Sequence, residues 1–286
     1  MQPVARLLGQ GDRLHLHHGP IDLIIAADGD RRRAFDAARG RFETILSELM
    51  VEIDLLRRPL SEERMRPEGE TARRMMDAAW AFRDAGFVTA MAGVAGAVAE
   101  SVLDAMVAHA DLQRAYVNNG GDIALHLTPE QRFRTAMLGQ EGQSLGVIEI
   151  TYNDCVRGIA TSGQHGRSFS FGIADSVTVL ASHAAEADVA ATLIANAVDL
   201  PNHSAISRAP ACELDDMSDL GRRLVVTGCA GLTDFEVATA LSRGVGRARE
   251  FCQNDHIHGA CLHFAGQSRV VGRMPVTLSQ GTIEYA

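Results

Sequence analysis

The sequence predicts an α+β fold, a mostly antiparallel sheet backed by helices, and two observations carry that prediction. Strand-like runs arrive in pairs between helical stretches, and no G-x-G-x-x-G turn of a doubly wound parallel sheet occurs in the 286 residues. The first pair is "RLHLHH" and "IDLIIAA", set about the turn at Gly19 and Pro20. A long helix follows, because Phe35, Ala38, Phe42, Ile45, Leu49, Ile53 and Leu56 fall on one face before Pro59. The polar connector "SEERMRPEGE" leads to a second helix over 71–83, stopped near Gly86. Residues 90–110 read as a helix of small residues. Each glycine there costs about 1 kcal/mol against alanine, so an unusually close approach to a sheet is the expected compensation.

"AYV" and "DIALHL" then read as strands joined through "NNGGD", with further strands near 134–138, 145–151 and 174–181. A helix starting at Ser182 or His183 runs to about Val198, where Pro201 prevents continuation. The final third repeats the theme, with "RRLVVTG" as strand, 234–252 as helix, and "IHGACLHF" and "SRVVGRMPVTL" as strands. The chain reads as a single domain over 1–286, with a break between two subdomains near 59–70.

Composition narrows the chemistry. A hydrophobic fraction of 46% is that of a globular protein with a sizeable core. No apolar run reads as long enough to cross a membrane, and the opening "MQPVARLLGQGDRLHLHHG" lacks a signal core, so the expected location is cytoplasmic. The five cysteines are widely spaced without a C-x-x-C, which makes reduced thiols the default. A formal net charge of −9 repels polyanions, so nucleic acid is not an expected partner. All 27 basic residues are arginine. Without lysine there is no pyridoxal Schiff base, no lysine enamine and no G-K-[ST] phosphate loop.

Four stretches carry candidate chemistry. "GIATSGQHGRSFSFGIAD", residues 158–175, holds four glycines and four hydroxyl side chains. It is either a flexible loop or an anion cradle, in which backbone amides and Thr161, Ser162, Ser168 and Ser170 face phosphate oxygens. His165 within it is a candidate proton carrier. "NNGGD" is either a hairpin turn or a place where Gly120 and Gly121 let a ring or phosphate lie against the backbone, flanked by Asn119 and Asp122. "EADVAATL" sets Asp188 and Thr192 four apart on one helical face. They serve either the local helix or a hard cation whose shell ligand phosphates complete. "DHIHGACLHF" offers His256, His258, Cys261 and His263, but their spacing matches no tetrahedral zinc signature. The "HLHH" run near the start is no stronger as a metal motif.

In order along the chain, "GVAGAVAE", "NNGGD", "IATSGQHGRSFSFGIADSVTVL" and "EADVAATL" resemble the ApbE superfamily over 93–196. Its best-known members are flavin transferases, which move FMN from FAD onto a threonine of an acceptor protein. The resemblance is to a cytoplasmic branch in which the glycine- and serine-rich segment is shortened. It implies an α+β fold related to the tunnelling fold (T-fold), a magnesium ion on Asp188 and Thr192, and FAD or another phosphorylated nucleotide as ligand. Asn119, Gly120, Gly121 and Asp122 would line the nucleotide pocket, with Thr161, Ser162, Gly163, Gly166, Ser168 and Ser170. An acceptor protein is an implied partner, and the small-residue helix could also support a homo-oligomer contact. The sequence departs from the family pattern in three places. Ala95 stands where transferases carry a lysine, the His-x-x-Asp-Pro-x-Thr-Gly run is missing, and the amino-terminal serine and asparagine signature is not recognisable. The expected function is therefore magnesium-assisted FAD processing, by FMN transfer or by hydrolysis. The alternative is a non-catalytic protein on the same fold that binds a flavin, a nucleotide or another phosphorylated metabolite.

Overall fold

The computed structural model describes residues 2–139, 142, 144–278 and 284–285. Its strands are β1 (Val4–Leu8), β2 (Arg13–His18), β3 (Ile21–Gly29), β4 (Leu112–Asn119), β5 (Asp122–Leu127), β6 (Arg132–Leu138), β7 (Ser144–Thr151), β8 (Gly158–Ser162), β9 (Ser176–Ala181), β10 (Ile206–Pro210), β11 (Leu224–Cys229), β12 (Gly259–Phe264), β13 (Gln267–Gly272), β14 (Val276–Leu278) and β15 (Glu284–Tyr285). The α-helices are α1 (Arg31–Val51), α2 (Ile53–Leu56), α3 (Glu70–Ala81), α4 (Val94–His109), α5 (Ala184–Ala197), α6 (Ala211–Leu214) and α7 (Asp234–Gln253). The result is an α+β fold with mainly antiparallel pairing, as the paired strands require. The chain divides into two compact units. The first is Met1–Phe133, Ile150–Ala160 and Ala181–Val189; the second is Arg134–Glu149, Thr161–Leu180 and Ala190–Ala286.

In the first unit β1, β2, β3, β4, β5 and β8 are neighbours in that order, each pair antiparallel. Period-two alternation buries Leu14, Leu16 and His18 of β2 and Ile21, Leu23, Ile25 and Ala27 of β3 on one face. Helix α1 is started by Asp30, whose carboxylate accepts from the Arg33 amide, and it buries Phe35, Phe42, Ile45 and Leu49. The single long helix expected to reach Leu56 is interrupted at Glu52. That carboxylate accepts from the Glu68 and Gly69 amides at 2.7 and 2.9 Å, tying the connector to the helix end, and α2 then returns Leu56 to the core.

Helix α4 is the small-residue helix, entered through a 3-10 turn at Ala90–Gly93. It packs on strands β4 and β5, as expected, and its Gly96 also lets the start of α5 approach: a Cβ there would lie 2.2 Å from the Ala184 carbonyl oxygen. Contrary to the expectation of no membrane-length run, Ala90–His109 is long and apolar enough to cross a membrane by length and composition. Here 61% of its apolar stretch is buried inside the protein, as in a core helix.

The start of the glycine-rich run is also corrected. Residues 158–162 form strand β8, in which Gly158, Ile159 and Ala160 are buried and Ile159 pairs with Ile123. Gly158 is required by packing, since a Cβ there would meet the His183 carbonyl carbon at 2.3 Å.

In the second unit β9, β12 and β13 pair antiparallel, and β15 joins β13 in parallel. Helix α7 packs on β12 and β13 through Val237, Leu241, Val245 and Phe251. A capping box formed by Thr233 and Glu236 fixes its start. Strands β10 and β11 form a bulged antiparallel pair, and β14, β7 and β6 form a three-stranded sheet. Neither β1 nor β10 was expected from the sequence. All but one of β1's residues are exposed, so it lacks the alternation that announces a strand.

Candidate functional site

The predicted residues of the first unit converge on the amino end of α4. The helix begins after Gly93, which has no side chain to cap it. Asp188 of α5 takes that role from 92 residues away, accepting from the Gly96 amide at 3.0 Å. The carboxyl is only 9% exposed. Burial pushes its pKa well above the ordinary value, the charge of Asp122 pushes further, and the Gly96 and Ala95 amides oppose both. Asn119, the last residue of β4, is buried and donates from its amide nitrogen to the Ala95 carbonyl at 3.2 Å. Ala95 therefore meets Asp188 with its amide and Asn119 with its carbonyl. Gly120 and Gly121 form the β4–β5 turn with φ of +69° and +118°, and the Gly121 amide donates to the Asn118 carbonyl oxygen of the side chain at 2.8 Å. Asp122 opens β5.

A reciprocal carboxylate stands one turn further along. Glu100 of α4 accepts from the Ala184 amide at the start of α5 and, at 3.0 Å, from the Arg74 guanidinium. Each helix thus caps the other's amino end with a buried carboxylate. Burial raises the Glu100 pKa, but hydrogen bonds and charge from His183 and Arg74 outweigh it and hold the group below its ordinary 4.5. Sequence reading missed Glu100 because "AVAE" reads as one more helical turn.

The predicted residues of the second unit divide by environment. Thr161 is exposed at the end of β8 and shares a 3.0 Å hydrogen bond with the buried Thr178 hydroxyl, and Ser162 follows it. Gly163 is demanded by packing, a Cβ there falling 2.3 Å from the Asp175 carbonyl oxygen. Gly166 closes a tight turn onto the Gly163 carbonyl at 3.1 Å, and Ser168 is exposed. Ser170 is buried and bonds within its own loop, donating to the Gly172 carbonyl at 3.0 Å and accepting from the Gly172 amide at 3.1 Å. Thr192 is half-buried one helical turn after Asp188. His165 places Nε2 3.3 Å from Asp175, which also accepts from Gln164 at 3.2 Å and from the Ala265 amide at 2.8 Å.

The His256 to His263 run does not assemble. Cys261 and His263 lie in β12, while His256 and His258 precede it. Among the described residues no group of three or more His, Cys, Asp or Glu is arranged to hold a metal ion.

A hard divalent cation takes carboxylate and hydroxyl oxygens. A buried carboxyl whose pKa is raised beside a second carboxylate fits such an ion, because a positive charge would relieve both the burial and the repulsion. The lysine of the transferase pattern has no counterpart at Ala95.

A family model described as AbpE bacteria matches residues 5–270. Among curated relatives, a UPF0280 protein of Methanothrix thermoacetophila is 39% identical over 109 residues, covering 38% of this chain and 45% of that protein. A UPF0280 protein of Archaeoglobus fulgidus is 36% identical over 130 residues, covering 46% of this chain and 51% of that protein. The chain thus spans about half the length of the curated relatives it matches. Two solved structures share the fold. The apo flavinyl transferase ApbE of Pseudomonas stutzeri has a TM-score of 0.52 at 12% identity, covering 98% of this chain and 96% of that one. The flavin transferase ApbE of Vibrio cholerae has a TM-score of 0.52 at 12% identity, covering 96% and 98%.

Proposed function

This chain belongs to the AbpE bacteria family, and from that premise we propose that it is a magnesium-assisted enzyme acting on FAD, by FMN transfer to a protein or by hydrolysis to FMN and AMP. The observation that carries the reading is Asp188, buried at the amino end of α4 and opposed by the charge of Asp122. Two proteins of similar fold are flavin transferases by name, which supports the choice of nucleotide.

Asp188 and Thr192 would hold the ion, with Asp122 adding charge. Bound there, magnesium would neutralise charge developing on the phosphate oxygen when the pyrophosphate link is cut. Asn119 positions the Ala95 carbonyl, and Gly120 and Gly121 keep the turn free of side chains. Thr161, Ser162, Gly163, Gly166, Ser168 and Ser170 remain the proposed nucleotide-binding set of the second unit. A second reading, FAD binding without turnover, is favoured by Ala95 and by the absence of any lysine.

Calorimetric titration with FAD, with and without magnesium, followed by chromatography for FMN and AMP, tests both. Expected is magnesium-dependent FAD binding with product formation, weakened about tenfold or more in Asp188→Asn. Asparagine keeps an oxygen for the Gly96 amide, so the variant isolates the charge from the cap. Tight FAD binding without product supports the second reading. No FAD binding under either condition overturns both.

A further inference from the structure

The second unit contains a cavity of about 500 Å³, and its charge is unlike that of a phosphate site. One carboxylate, Asp175, lines it, and among the described residues no arginine does, in a chain whose every basic residue is arginine. The carboxylate is fixed in place: Gln164 and the Ala265 amide donate to it, its own amide donates to the His263 carbonyl at 3.0 Å, and His165 rests on one oxygen. Val237 and Phe264 give the cavity apolar walls.

Among the described residues the partners of Asp175 are amides and the His165 imidazole, with no arginine beside them. His263 is half-buried, its Nδ1 shares a 2.9 Å hydrogen bond with the Ser268 hydroxyl, and burial holds its pKa down against the pull of Asp175. Arg208, the cation that reaches Cys229, is engaged by Asp199 and by the Phe171 carbonyl. Burial, and after it the charges of Asp175 and Asp199, hold the proton on the Cys229 thiol, with Arg208 opposing. The part of this effect that comes from Asp175 favours a positive charge beside it, whereas burial alone favours none.

We propose that this cavity binds a small organic cation, an amine carried on a partly apolar body, with Asp175 as its counter-ion. The ligand ammonium takes the place of the His165 imidazole on the carboxylate, and the apolar body lies against Val237 and Phe264. Anionic ligands, phosphates included, are disfavoured because Asp175 repels them and no arginine lies in the lining. The cavity adjoins the loop assigned to the nucleotide but uses none of those residues, and its test uses no flavin, so the two readings fail separately.

Three probes of one shape test the proposal by calorimetry on the full chain: tryptamine, its alcohol analogue tryptophol, and indole-3-propionate. Expected is tryptamine binding about tenfold tighter than tryptophol, with indole-3-propionate weakest. Asp175→Asn, which keeps an acceptor for the Ala265 amide, should erase the tenfold preference. His165→Ala should keep or strengthen tryptamine binding by removing the competing imidazole. Thr227→Trp, at an exposed position in the lining, narrows the cavity without touching the core and should abolish tryptamine binding. The proposal is overturned if no probe binds, if tryptophol or indole-3-propionate binds as tightly as tryptamine, if the preference survives Asp175→Asn, or if Thr227→Trp binds tryptamine at full affinity.

Discussion

Glu100 and Asp188 act at residue scale as caps, giving an acceptor to amides that a helix start leaves unpaired. Glu100 also makes an ion pair with Arg74 and lies 3.5 Å from His183 Nδ1, so its charge couples stability to pH. Its pKa is lower folded than unfolded, so its contribution is present above the ordinary 4.5 and is lost as pH falls below that value. His183 has the opposite sign. The Glu100 hydrogen bond raises its pKa, so its contribution is full below the ordinary 6.5 and is lost as pH rises through the folded value. Urea denaturation against pH should therefore show wild type losing stability in both directions. Glu100→Gln, which retains an acceptor for the Ala184 amide, should give a flatter profile at both ends. Parallel profiles for the two proteins would refute the coupling.

Elements meet closely where glycine permits it, and the same substitution has opposite effects at two glycines. A methyl at Gly96 would sit 2.2 Å from the Ala184 carbonyl oxygen, against backbone of α5 that cannot swing aside. Gly246 lies on the exposed side of α7, with nothing within 4 Å of an added Cβ. Gly96→Ala should lose about 1–3 kcal/mol or more, as overpacked cores do. Gly246→Ala should gain roughly 0.5–1 kcal/mol from helix propensity. Chemical denaturation of the two variants beside wild type measures both signs. A Gly96→Ala protein of unchanged stability would mean that α4 and α5 are not packed at this distance.

Across the whole molecule the five cysteines provide a gauge of how well the core is closed. Cys155 and Cys212 are exposed, Cys229 and Cys252 are half-buried, and Cys261 is buried. Burial pushes the Cys261 thiol up to about 11, so it is both inaccessible and un-ionised at neutral pH. Titration with a chromogenic disulfide should modify Cys155 and Cys212 first and leave Cys261 unmodified until denaturant is added. Early loss of Cys261, identified by peptide mass, would show that β12 is not protected as its burial requires.

What the sequence by itself determined is local. Alternation in "RLHLHH" and "IDLIIAA", the heptad-like face from Phe35 to Leu49, and the Asn-Gly-Gly turn are patterns among near neighbours, and each became the expected element. Composition likewise settled which lysine chemistry the chain cannot perform. Tertiary structure alone decided the partners: Asp188 with Gly96 across 92 residues, Glu100 with Ala184 across 84, and Asp175 gathering His165 and Ala265. It also turned residues 158–162 into strand β8, because buried neighbours on both sides outweigh the glycine-rich composition that reads as loop. The physical reason is common to these cases. A backbone period is written in successive residues, whereas a buried carboxylate's partner is fixed by packing between distant segments, and spacing along the chain carries no record of it.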